Sequence, residues 1–179
     1  MKPVTFATVI GIQLQISQTG LLSSLVLWIV LALAANWLLP LTIGQAILGG
    51  LLATLLHWVN VFGHHLGHAA AARRVGYPLE LVRMFYLLGG QRYPRNEPDL
   101  PAKTHIQRAL GGPIANLCLA LVGMMAVWLL RPFGELPFYL SLFFTLESFF
   151  IFFIGALLPL GFTDGSTLLY WWPKRRQSN

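Results

Sequence analysis

Four stretches of the chain stay apolar long enough to cross a bilayer: residues 21–39, 41–72, 113–130 and 137–158. About 20 apolar residues in a helix cover the roughly 30 Å of hydrocarbon. The second stretch is too long for a straight span, which predicts a tilt, an interfacial start, or a break near Gly49-Gly50. A last apolar piece, "STLLYWW", follows a turn and is too short to cross. Two other stretches read as strands. Residues 7–17 alternate partially and hold β-branched residues, and residues 79–94 are apolar and aromatic around a Gly-Gly turn. Strand edges beside a membrane need partners, so these strands are expected to pair with each other or to cover a site. The pattern predicts one α-helical membrane domain over residues 1–179. It has about four transmembrane helices, short membrane-associated strands and no separate soluble domain.

Composition supports the membrane reading. The chain is 56% hydrophobic and 10% charged, against about 25% charged for soluble domains. Its net charge of +6 is therefore read as a topology signal, and nucleic acid is not an expected partner. With both termini in the cytoplasm, eleven of the twelve lysines and arginines fall on that side, and only Arg131 falls outside. A bacterial cytoplasmic membrane is the expected location. "ALAA" at residues 32–35 resembles a signal-peptide cleavage site, the alternative for the start of the chain. Cleavage there removes one span and leaves the rest oriented as before. The single cysteine, Cys118, has no internal disulfide partner and is expected as a small core residue.

The chemistry concentrates in three places. The first is "HHLGH", residues 64–68. On a helix His64 and His68 share a face about 6 Å apart along the axis, a spacing at which two imidazoles can grip one zinc ion. Polar packing between spans is the plainer alternative. His65 points about 100° away, toward another helix, the side of the metal, or a carbonyl. His57 and Asn60 return to the face of His64, but His57 is about 10 Å along the axis, too far to share the metal. It reads as a cavity-wall group or a satisfied core histidine. The second place is "GGPIAN", where Pro113 suits the first position of a helix and Asn116 falls in the first turn. Asn116 can hydrogen-bond within a site, or it can serve capping and packing alone. The third is "LLPLGFTDG", whose Asp164 is a candidate third zinc ligand or simply part of a turn. All three places reach the cytoplasmic side at similar depth.

Together these motifs resemble the site-2 protease family of intramembrane zinc metalloproteases. That family carries H-E-x-x-H on one span, G-P-x-x-N on the next, and L-P with D-G further on. Here the order is kept: His64-His65-Leu66-Gly67-His68, Gly112-Pro113-Ile114-Ala115-Asn116, then Leu158-Pro159 and Asp164-Gly165. "AAAARRVGY" and the strand "GIQLQIS" fit the same resemblance, which covers nearly the whole chain as a minimal core without PDZ or CBS domains. It implies zinc as cofactor, with His64, His68 and Asp164 as ligands. It implies that Asn116 positions substrate or stabilises charge at the scissile carbonyl. The chain departs from the pattern at three points: His65 replaces the glutamate base, Ala156 an asparagine, and Ser166 a glycine.

Zinc lowers the pKa of a bound water to about 7, and a general base typically adds about 10²–10⁴-fold. Losing the glutamate should therefore slow peptide hydrolysis greatly. The expectation is a pseudoprotease that keeps the metal and binds a transmembrane helix of a substrate or partner protein within the lipid bilayer. It can act as an accessory subunit of a membrane complex. The alternative is an active atypical endopeptidase in which His65 or Glu147, a carboxylate in an apolar span, replaces the base. A weaker alternative is a pigment- or haem-binding subunit using a span histidine, although no C-x-x-C-H motif is present.

Overall fold

The computed structural model of the protein describes residues 3–9 and 11–176. Lys2 and Ile10, part of the charge and strand expectations, lie outside the described residues. Among the described residues, four helices are long and apolar enough to cross a membrane. Helix α1 is Gln18–Leu38, α2 is Ile43–Arg74, and α3 is Ala102–Leu130. Helix α4, Glu135–Leu146, continues as a π-helical stretch, Glu147–Gly155, and together they form the fourth span. The short α5, Asp164–Trp171, comes last.

Helix α2 is the centre of the bundle. Half of its most apolar window is buried, against none of that in α1. Packing on several sides explains why the polar residues of the chain gather on it. A capping box of Thr42 and Gln45 starts the helix, and Gly76 at φ +82° follows its end. Its 32 residues run without a break at Gly49-Gly50, which removes one of the three alternatives for its length. That pair serves close packing instead: a Cβ on Gly50 would lie 2.6 Å from the Ala32 backbone nitrogen, and one on Gly49 3.0 Å from the Leu136 side chain. At 1.5 Å per residue α2 is about 48 Å long, more than a bilayer core requires.

Helix α3 also corrects an expectation. It starts at Ala102, so Pro113 lies inside the helix and Asn116 is in mid-helix, not in a first turn. Arg108 is buried one turn earlier, its guanidinium bonded to Glu97 at 2.5 and 3.0 Å and to the Tyr77 carbonyl at 2.6 Å. The Tyr93 ring stacks on it at 3.9 Å, and burial pushes the Tyr93 hydroxyl up to about 12. Cys118 is exposed on the outer surface of α3, not in the core. Two residues along a helix turn through about 200°, so Cys118 faces away from the buried Asn116.

The strands form one sheet in chain order, β1 (Val4–Val9), β2 (Ile12–Ile16), β3 (Leu81–Phe85) and β4 (Leu88–Arg92). The first predicted stretch is thus a hairpin, turned at Gly11 with φ +79°. The two stretches pair with each other through the parallel contact of β2 with β3. Ile12, Leu14 and Val82 pack with Ala69, Ala72 of α2 and Leu79, seating the sheet on the end of α2 that bears the histidines. In the second hairpin the turn falls at Tyr86-Leu87, with Tyr86 at φ +50°, and Gly89-Gly90 lie inside β4.

Where α2 crosses α3, a Cβ on Gly67 would lie 2.6 Å from the Ala115 Cβ and against the Gly111 carbonyl. Gly67→Val should therefore lower stability by about 1–3 kcal/mol by overpacking. Thermal unfolding of the detergent-solubilised protein reads this as a lowered midpoint.

Candidate metal centre

The structure brings His64, His68 and Asp164 together from α2 and the start of α5, 100 residues apart along the chain. Their ligand atoms all lie within 4.8 Å of one another. His64 Nε2 is 3.0 Å and His68 Nε2 3.3 Å from the same Asp164 oxygen, Oδ2, and the two Nε2 atoms are 3.1 Å apart. His68 is 1% and His64 9% exposed.

The outer nitrogens decide where the protons sit. His64 Nδ1 lies 2.9 Å from Asn116 Oδ1, and His68 Nδ1 lies 2.7 Å from the Arg108 carbonyl oxygen. Both partners are acceptors, so each Nδ1 carries the proton and donates it. The Gly112 amide lies 3.3 Å from His68 Nδ1, but the shorter contact to a carbonyl requires a proton on that nitrogen. Both Nε2 atoms then turn bare lone pairs toward each other and toward a carboxylate. Such a cluster needs a cation or extra protons between its members. Gly112 lets α3 come close to the cluster: a Cβ there would lie 2.5 Å from His64 Nε2 and press on His68 Nε2. Two neutral imidazoles and one carboxylate, each imidazole held from behind by a hydrogen bond, are a donor set that fits zinc. The residues could hold a metal ion.

Asn116 is fully buried and holds the back of His64, while its amide donates to the Asn60 carbonyl and Oδ1 at 3.3 Å each. Its contacts are with ligand-supporting atoms. His65 lies apart from the cluster on the sheet side. A Cβ on Gly89 would strike its ring, so the glycine inside β4 marks the place where strand and imidazole touch. The His65 ring centroid is 5.6 Å from that of His64 and 6.0 Å from that of His68, and its Nδ1 is buried with no hydrogen-bond partner among the described residues. Glu147 has both oxygens engaged away from the centre, one with His57 at 2.7 Å and one with Asn60 at 2.8 Å.

Sequence reading placed Asn60 on the histidine face without a role, and it missed the Arg108 carbonyl and Gly89. A backbone carbonyl leaves no trace in a sequence. A glycine inside an apolar strand pattern does leave one.

The fold is similar to the solved site-2 protease from Methanocaldococcus jannaschii. The match covers 94% of this chain and 70% of that one, with a TM-score of 0.62 and 20% sequence identity. At that identity the likeness establishes a site-2-protease-like fold. No family model matches the chain, and no curated protein matches its sequence.

Asn116→Ala removes the acceptor behind His64 and should weaken divalent-metal binding by about 10–100-fold. Competition with a chromogenic chelator reads that change directly.

Proposed function

We propose that this protein is a membrane-embedded, site-2-protease-like metalloprotein. It holds zinc through His64, His68 and Asp164 and binds a transmembrane helix with little or no peptide-bond cleavage. The observation that carries the proposal is the convergence of two bare imidazole nitrogens and one carboxylate oxygen on one point. Bound there, zinc supplies Lewis acidity toward water or a peptide carbonyl. Asn116 and the Arg108 carbonyl keep the two imidazoles in the ligating tautomer. What the chain lacks is a proton acceptor of the usual kind. His65 stands at that position, and its ring is packed against β4. The four apolar helices support a bilayer setting, and the basic residues support cytoplasmic termini. A role as an accessory subunit for a membrane complex follows from binding without cutting.

One observation favours a second reading, an active atypical endopeptidase. His65 Nδ1 is buried with no hydrogen-bond partner among the described residues, and a free imidazole nitrogen near the centre is the kind of group that takes a proton.

Purified protein should contain about one zinc per chain, and His64→Ala or Asp164→Ala should lose it. Absence of zinc from metal-replete wild-type protein contradicts the site. His65→Glu should raise cleavage of a transmembrane test substrate, by up to about 10²–10⁴-fold if the restored carboxylate works fully. Strong wild-type cleavage that falls on the same substitution would instead make His65 the base and establish the second reading.

A further inference from the structure

Outside the ligand cluster, α2, α3 and the fourth span share a second buried polar group. Glu147 is the first residue of the π-helical stretch. Its Oε1 lies 2.7 Å from His57 Nδ1, and its Oε2 accepts from Asn60 Nδ2 at 2.8 Å. On its other side His57 Nε2 faces the Leu87 carbonyl at 3.1 Å. A carbonyl only accepts, so Nε2 carries a proton, and one further proton lies between His57 Nδ1 and Glu147. The pair is net neutral whichever atom holds that proton, which suits a span interior.

We propose that Glu147 is a positioning residue for the metal centre, acting on His64 through Asn60 and Asn116. The inference rests on the metal reading given above. Its basis is that the chain of hydrogen bonds has a direction. Glu147 Oε2 takes the Asn60 amide N–H, so Asn60 must turn its oxygen, Oδ1, the other way. That oxygen accepts from the Asn116 amide at 3.3 Å, and it lies 2.6 Å from the Ser148 hydroxyl, whose one proton is shared with the Phe144 carbonyl at 2.7 Å. Asn116 must then turn its own oxygen to His64 Nδ1, at 2.9 Å. His64 is left with its proton on Nδ1 and its lone pair on Nε2, aimed at Asp164 and His68. Each asparagine is an amide that can flip, and the carboxylate is the fixed acceptor that orders both. Asn60, Asn116 and Ser148 have at most trace exposure, so water does not compete for these bonds. The hairpin tip takes part through Leu87, because its carbonyl fixes His57 and His57 fixes Glu147.

The test is cobalt(II) titration of the metal-stripped, detergent-solubilised protein, read by visible d–d absorption and by chelator competition. Glu147→Ala should weaken cobalt binding by about 2- to 30-fold, and Asn60→Ala should do the same with the Glu147–His57 pair intact. Both losses should vanish, to within about twofold, in an Asn116→Ala background. Glu147→Gln can accept from Asn60 and donate to His57, so its affinity should stay within about twofold of wild type. Wild-type affinity in both Glu147→Ala and Asn60→Ala overturns the proposal, as do losses that add fully to that of Asn116→Ala. A Glu147→Gln loss as large as that of Glu147→Ala overturns it too. These results leave the metal site standing, whereas a wild-type protein that takes up neither cobalt nor zinc removes both. If Glu147→Ala does not fold, Asn60→Ala and Glu147→Gln decide the question.

Discussion

Two imidazole lone pairs and a carboxylate oxygen face one another at 3.0–3.3 Å inside a polytopic, apolar fold. Acceptors do not gather like this unless something positive lies between them. The rest of the structure can be read as the means of holding them there. Helix α2 brings the two histidines, one turn apart. Helix α3 fixes their tautomers from behind, with a side-chain amide for His64 and a backbone carbonyl for His68. The start of α5 brings the carboxylate. Glycines at the crossing of α2 and α3 let the backbones approach closely enough for these bonds to form.

Polar groups buried away from water have to find partners within the protein. This explains why the polar atoms of α2 form a continuous network. His57, Asn60, His64 and His68 all lie on the buried side of that helix, and each is bonded to another element. His65 breaks the pattern with its unpaired Nδ1, and it does so at the position where the related motif carries a glutamate. The sheet closes over that residue. Strand β4 meets the ring at Gly89, and the Tyr86 and Leu87 carbonyls at the hairpin tip accept from Ser23 of α1 and face His57 of α2.

The number and rough position of the spans were legible because hydrophobicity over about 20 residues is a strong signal. The candidate ligands were legible because two histidines four apart on a helix share a face, and because the resemblance supplied a third group far along the chain. Other features were hidden for identifiable reasons. Pro113 looks like a helix start in sequence, yet α3 begins at Ala102 and runs through it. Gly49-Gly50 and Gly89-Gly90 look like a break and a turn. In the fold they are places where a neighbour leaves no room for a side chain. Cys118 looks internal because it lies in a mostly apolar run, but on a long apolar helix such residues also face outward. The partners of Glu147 depend on three helices meeting, and no local pattern encodes that.

The most direct measurement is X-ray absorption at the zinc edge on the purified wild-type protein. The expected result is a low-coordinate site with two imidazole nitrogens at about 2.0–2.1 Å and oxygen at about 2.0–2.2 Å, without sulfur. His68→Ala, like His64→Ala, should leave no such zinc spectrum. A protein without bound zinc, or a site dominated by sulfur or by water alone, would contradict the arrangement.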